Sequence, residues 1–473
     1  MKKMFFAALA ATVLFASCNK EEASVKGDSW EGGKTTMGLT ISLPTANGSR
    51  AADGDPINAT AAESTIKSIS VFIFKGDGTL ATNGYKEFTS LTTQFTNDGS
   101  GNYTLNDSEK IETTSGVKRI YIAANLPSGT GSSVTTVAEF KALETSWDAA
   151  GETWADTSNK GYVMCSQEKN ETLVGQEDLT AAAANTVSAA LERVVSKVVV
   201  TVNNNTQKFT QTVNATPSDI SVEYTILDWT PCLVAKSAYL AQNKAGTKLV
   251  TPNNNRTDWP TDLSGFMAVN TLAESGSWSS PAINSSYIGE NAPEAMLYGE
   301  ATNVMIRTRI APAQRAYVNG SSALVWTSAT VSDYVDGVYV VRSDDGSLYF
   351  CNSVSDVTAV SSKLTGPTYV HYPGRYAYFI VTLNAEKALP YTAMVYRNQF
   401  IHVEVTGIKE GKFGGALPGD GDGTTPPDPE DPDPEIPDPW NPEDPIIEED
   451  ACLIVKTSVA PWVYAANPIE LGF

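Results

Sequence analysis

Histidine is almost missing from this chain: of 473 residues only two, His371 and His402, are histidine. Neither has a second ligand at metal spacing, and no GxSxG, HExxH or Walker pattern occurs. Both are read as structural, and no metal, cofactor or catalytic residue is expected. Cysteine is scarce too. The five, Cys18, Cys165, Cys232, Cys351 and Cys452, lie far apart with no CxxC pair. That spacing suits neither a disulfide scaffold nor a zinc site. The four after Cys18 are read as isolated small apolar side chains. Positive charge is short, with 33 Lys plus Arg against 54 Asp plus Glu and a formal net charge of −21. Such a balance disfavours nucleic acid and anionic membranes as partners. Repeated helical crossovers are missing as well, so a parallel α/β fold is disfavoured. Arginine is absent from the first 118 residues except for Arg50.

What is present begins with a targeting segment. Lys2 and Lys3 precede an apolar run of 13 residues, Met4–Ala16, too short to span a bilayer comfortably. Ala16 and Ser17 stand immediately before Cys18, the pattern of a bacterial lipoprotein signal. Cys18 is therefore expected to be lipidated and to become the new N-terminus. Phe15 is atypical for the third position before that cysteine. Lys20-Glu21-Glu22 resembles a surface-export signal of Bacteroidota lipoproteins.

The rest reads as β-structure. In TTMGLTISLP (35–44), Met37, Leu39, Ile41 and Leu43 alternate with Thr36, Gly38, Thr40 and Ser42. Period two of this kind marks a half-buried strand. Further strands are expected at 67–74, 119–127, 193–202, 221–227, 337–342, 375–383 and 399–408, with Thr, Asn, Gly and Asp filling the turns between them. Antiparallel sandwiches are the expected packing. One helix is expected over 135–147, where Val137, Phe140, Leu143 and Trp147 have near-helical spacing and Thr136 and Glu139 suit a capping box. No internal repeat is evident.

Near residue 412 the character changes. Residues 414–450 hold 13 acidic side chains and no Lys or Arg, so they supply 13 of the 21 net negative charges. Ten prolines fall between Pro418 and Pro445. Proline lacks the amide for a ladder bond and the carboxylates repel one another, so an extended strut is expected. Such a segment holds no rigid carboxylate pair for glycoside chemistry. Asp420 and Asp422 lack the glycine and distal glutamate of a calcium loop.

Beyond the strut, Leu453, Val455, Thr457 and Val459 again alternate, and Pro461 is expected to end the pairing. The two terminal strands offer matching four-position faces. Gly48, Ser49, Ala51, Ala52 and Gly54 make the loop around Arg50 easy for a protease to engage. Cutting there releases the first strand, and the tethered last strand of a neighbouring molecule can take its place by strand addition. Donor and groove at opposite ends of one chain give a head-to-tail contact that does not close. The residues alone leave another arrangement open, in which the first strand is ordinary structure and the last folds back on its own chain.

The order of landmarks resembles the shaft subunits (fimbrillins) of Bacteroidota type V pili, the short-fimbria type of Porphyromonas most of all. The features are the lipoprotein signal, Ser49-Arg50-Ala51, RIYIAANLP (119–127), LERVVSKVVV (191–200), YRNQFIHVEVTGI (396–408), the Asp-Pro strut and the strand ending at Ala460-Pro461-Trp462. Residues 205–330 add little, and Ser196 stands where the pattern has alanine. The resemblance implies an all-β chain with two tandem transthyretin-like antiparallel β-sandwich domains and a minor helix. Its segments are a signal over 1–18, a propeptide over 19–50, domains over 51–190 and 191–413, a linker over 414–450 and a donor strand over 451–473. It further implies an outer-membrane lipoprotein precursor and cleavage between Arg50 and Ala51 by an arginine-specific protease. Donor-strand exchange then gives a surface fimbria for adhesion and biofilm formation. The implied partners are copies of itself, anchor and tip subunits, and host or bacterial receptors. Three other classes remain: an anchor or tip subunit, a monomeric lipoprotein binding carbohydrate through Trp147, Trp154 or Trp278, and an enzyme.

Overall fold

The computed structural model describes residues 31–44, 57–146, 155–156, 161–183, 185–203, 206–213, 219–245, 248–252, 256–257, 265–271, 283–293, 299–383, 393–409, 413–415 and 453–463. The principal strands of the first half are β1 (Lys34–Ser42), β2 (Ile57–Asn58), β3 (Ile69–Lys75), β4 (Leu80–Phe88), β5 (Asn102–Leu105), β6 (Ile111–Thr114), β7 (Gly116–Ala124), β8 (Met164–Ser166) and β9 (Asn185–Arg193). Those of the second half are β10 (Val195–Val202), β11 (Ile220–Cys232), β12 (Ser285–Gly289), β13 (Asn303–Pro312), β14 (Tyr376–Thr382), β15 (Gln399–Ile408) and β16 (Leu453–Val463). The fold is all-β, and each expected strand is present.

Except for β2, the first-half strands belong to one ten-stranded sheet, with β4, β3, β7, β8, β9, β1 and β5 in spatial order. Its buried face joins Met37, Leu39, Ile41 and Leu43 of β1 to Val71 and Ile73 of β3, Ile120 and Ile122 of β7, and Val187 and Ala189 of β9. The second half packs two sheets face to face. One orders β2, β16, β15 and β10, and the other contains β11, β13 and β14. Val198, Val200 and Val202 of β10 and Ile401, Val403 and Val405 of β15 meet Val222 and Ile226 of β11 and Ile306 of β13 in one cluster. That is the aliphatic interior of a sandwich.

Three expectations need correction. The sheets are mixed rather than antiparallel, because β1 runs parallel to β9 and β10 parallel to β15. Parallel neighbours need a long crossover, and here the described parts of both crossovers are mainly strands, with only short helices such as Val137–Lys141 and Val354–Ser361. The expected helix over 135–147 is only one short turn, α1 (Val137–Lys141), although its Thr136–Glu139 capping box is present. Residues Glu144–Ser146 instead pair with Ser237–Tyr239, so a tertiary ladder overrides helical spacing. Pro461 does not stop the last strand. Pairing reaches Gln399↔Pro461 and then continues as Ile57↔Trp462 and Asn58↔Val463. A proline is tolerated where a strand lies near a sheet edge.

The chain passes from the first sheet to the second at Val194, the one residue between β9 and β10. A buried polar cluster fixes that junction. Arg193 is fully buried, donating from Nε to Glu63 O at 2.8 Å and from Nη1 to Asn398 Oδ1 at 3.1 Å. Lys197 Nζ and the Tyr287 hydroxyl each donate to Glu63 Oε1 at 2.7 Å. Burial pushes the Glu63 carboxyl up, but Lys197 and Tyr287 outweigh it and hold it below the usual range. Removing one member of such a pair leaves a buried charge uncompensated. Lys197→Met should therefore cost about 3–5 kcal/mol of stability, and adding Glu63→Gln should recover part of it. Urea denaturation of both variants checks this, and a neutral Lys197→Met would refute it.

Candidate functional site at the first and last strands

β1 is a central strand, bonded along both edges. On one side Met37–Ser42 run parallel to Asn185–Ala190 of β9. On the other, Lys34–Met37 pair with Thr114–Ile111 of β6, and Thr40–Ser42 pair with Thr104–Asn102. Its apolar face is fully enclosed, Met37, Leu39 and Ile41 at 0% exposure and Leu43 at 2%. Lifting this strand out would leave a row of unpaired amides and carbonyls on each flank and an apolar trough between them.

Polar side chains pin the start of the strand. Thr35 Oγ1 donates to Val174 O at 2.6 Å, and Asn185 Nδ2 donates to Thr35 Oγ1 at 2.9 Å and Thr36 O at 3.1 Å. Thr36 Oγ1 also bonds Gln176 Oε1. Just ahead of the strand, Glu31 Oε1 accepts from the Thr82 amide at 3.0 Å, Thr114 Oγ1 at 2.7 Å and Lys118 Nζ at 3.4 Å. Burial opposes the Glu31 charge, but the Thr114 hydroxyl, the Thr82 amide and Lys118 outweigh it and hold its carboxyl at about 2. The Lys118 side chain is fully buried. Sequence reading missed this clasp, whose one visible sign is an acid beside the Gly32-Gly33 pair.

The last strand, β16, lies on its own chain. It runs antiparallel to β15 from Leu453↔Ile408 to Pro461↔Gln399, with an irregularity at Val405/Gly407. Leu453 is buried, Val455 and Val459 are half-buried against the sandwich interior, and Thr457 is exposed. The arrangement with the tail folded back is thus the one adopted. Under the strand, His402 Nε2 lies 2.9 Å from Thr201 Oγ1 and its Nδ1 lies 3.5 Å from Ser458 Oγ. Burial, with a smaller push from Lys456, lowers His402 to about 4.

Cys18, Arg50, Ala51, Trp147, Trp154, Trp278, Cys452 and all but the first two residues of the 414–450 linker lie outside the described residues. Cys165, Cys232 and Cys351 are buried and free, and burial pushes the Cys165 and Cys351 thiols up to about 12. Among the described residues no three His, Cys, Asp or Glu side chains are grouped to hold a metal. No helix among them is long and apolar enough to cross a membrane. His371 bonds Asp336 O at 3.0 Å and stacks on Tyr339.

Both terminal attachments carry a pH signature. A neutral buried His402 contributes stability that is fully present above its unfolded pKa of about 6.5 and is lost as pH falls toward 4. The ionised Glu31 contributes stability present above about 4.5 and lost as pH falls toward 2. Amide exchange of residues 453–463, corrected for intrinsic rate, should therefore rise between pH 6.5 and 4. Exchange in 34–42 should rise only below about 4.5. His402→Gln should flatten the first rise, and a single common transition would refute the assignment.

Comparison with known proteins follows from this geometry. Residues 37–224 match the family model described as major fimbrial subunit protein (FimA), from within β1 into β11. No curated protein matches the chain. Among solved structures, a fimbrilin of Porphyromonas gingivalis W83 is similar at 16% identity, covering 91% of this chain and 98% of its own, with a TM-score of 0.43. The tip fimbrial protein Mfa3 of Porphyromonas gingivalis is similar at 12% identity, covering 91% and 100%, with a TM-score of 0.41. A candidate cell adhesion protein of Parabacteroides distasonis ATCC 8503 is similar at 13% identity, covering 93% and 99%, with a TM-score of 0.47. Residues 37–224 are thus similar to the major fimbrial subunit proteins, and this likeness covers less than half of the chain.

Proposed function

We propose that this chain is a shaft subunit of a fimbria, exported as an outer-membrane lipoprotein through Cys18 and cut between Arg50 and Ala51. Release of residues 19–50 then opens the β1 trough, and β16 of a second copy fills it. The observation that carries this reading is the position of β1. It is the chain's first described strand, yet it lies in the sheet interior with both edges bonded. A cut in the loop after it converts an internal strand into a removable one. Refilling the trough buries three or four aliphatic side chains, worth roughly 1.5–3 kcal/mol each before ordering costs. The Pro/Asp-rich segment supplies the reach, roughly 65 Å for the 21 residues Thr425–Pro445 at about 3.1 Å each. Anchor and tip subunits, the arginine-specific protease and surface receptors are the further partners of this reading.

One observation favours a second reading, an anchor or tip role. β16 is already paired with β15 of its own chain, and a tail that stays there donates nothing.

Cutting the protein with limiting arginine-specific protease separates the two. The shaft reading expects Ala51 as the new N-terminus by mass, ladders on unheated gels and fibres by electron microscopy. A chain lacking 451–473 should form none of these. Thr457 is exposed where the tail now lies, so Thr457→Arg should leave the subunit folded with its present thermal midpoint and abolish ladders. Normal fibres from Thr457→Arg would refute the donor face. A cut product that stays monomeric points to the anchor or tip role.

A further inference from the structure

We propose that a cavity between the first sheet and a loop of the second half binds a small acidic sugar, one ring bearing a carboxylate. The proposal does not depend on strand exchange, and the cavity is present in the uncut chain.

The cavity has a volume of about 260 Å³. One wall comes from β7, β8, β9 and the end of α1, and the other from residues 241, 242 and 244 and from Arg397. Ligand sites favour such junctions between packed units. Pockets for drug-sized ligands start at roughly 300 Å³, so this one suits a single sugar ring.

Charge sets the class of ligand. Arg397 is 5% exposed, and its Nη1 and Nη2 donate to Leu240 O and Tyr239 O at 2.7 Å each. Nη2 also donates to Glu290 Oε2 at 2.5 Å. The buried Nε has no partner. A donor buried without an acceptor is costly, so an acceptor entering beside Arg397 is favoured. Lys141 and Lys244 add two ammonium groups, both on exposed side chains. The carboxylates of the lining, Glu168 and Glu192, are already engaged. Glu168 accepts from Arg119 Nε at 2.7 Å and Nη2 at 2.9 Å, from the Tyr121 hydroxyl, and from Lys141 at 3.3 Å. Glu192 Oε1 accepts from Gln167 Nε2 at 3.1 Å. Three cations thus face two occupied anions, which favours a ligand carboxylate and disfavours a ligand ammonium.

The remaining groups suit hydroxyls. Gln242 Nε2 donates to Glu290 Oε1 at 2.7 Å, which leaves its carbonyl oxygen as an acceptor. Ser166 Oγ accepts from the Ile122 amide at 2.9 Å and keeps its own proton to donate. An acceptor and a donor together match the hydroxyls of a sugar ring. Cys165 on the same wall is buried, and its thiol stays neutral, so the cavity binds its ligand without attacking it.

The test uses the uncut chain, with saturation-transfer NMR for contact and calorimetry for affinity. The probes are glucuronate, glucose and glutamate. Glucuronate should bind at least about tenfold more tightly than glucose, as a charge-assisted bond predicts, and added salt should narrow the gap. Lys141→Gln with Lys244→Gln should remove the preference while keeping the thermal midpoint, because both side chains are exposed. Lys208→Gln, at a surface pair with Glu223 away from the cavity, should change neither. A glucuronate Kd weaker than about 10 mM, equal binding of glucose, or an undiminished affinity in the double lysine variant would overturn the site. Glutamate binding as tightly as glucuronate would overturn the sugar class. Binding is read before any cut, so its failure leaves ladder formation untouched, and failed ladders leave the cavity standing.

Discussion

The N-terminal half depends on one strand being bonded along both of its edges. β1 supplies hydrogen bonds to β9 on one side and to β5 and β6 on the other, and its four aliphatic side chains sit in the shared core. Without it, β9 and the β5–β6 pair have no common neighbour, so the sheet is split through its middle. This places the first described strand in the interior of that sheet. It also means that the strand cannot slip out sideways. It must be pulled along its axis against two ladders and a clasp.

The last strand is held differently. β16 has one long partner, β15, and on its other side only the two residues of β2. Its exposed Thr457 and Ile454 show that much of it faces away from the core. A strand held this way costs less to detach than β1, because only one long ladder and a two-residue pairing must break. The contrast has a functional sense in the proposed assembly. The tightly held strand requires a covalent cut before it can leave, and the loosely held one is free to move once a better site opens. The short parallel pairing of β2 with the end of β16 adds a direct tie between the segment that follows Arg50 and the tail.

Between the halves, a buried network does the holding. Arg193 and Lys197 flank Val194 at the crossing, and both reach Glu63 on a short turn from the beginning of the first half. Burying these charges is unfavourable unless each finds its partner, so the pairing is geometrically demanding. That demand sets how the first sheet meets the second sandwich.

Much of this was legible in the residues, and the remainder was hidden for definite reasons. Alternation of apolar and polar side chains depends only on the pleat, so β1 could be read directly, as could the capping box at Thr136, while β3, β7, β10 and β15 could be read from β-branched and aromatic runs bounded by turn residues. Pairing partners could not. Period two says which face is buried but not which strand lies alongside, so the parallel β1–β9 and β10–β15 neighbours were missed. The helix over 135–147 failed because Glu144–Ser146 found a ladder partner almost a hundred residues later in the chain. The Glu31–Lys118 clasp and the Glu63 junction were invisible because a charge is surface-like by composition until the fold buries it. The sequence by itself determined an all-β chain with matched apolar faces at its two ends, since those follow from local alternation. Only the tertiary structure decided that the first face is central and the last is at an edge, because that depends on long-range hydrogen bonding that no local pattern encodes.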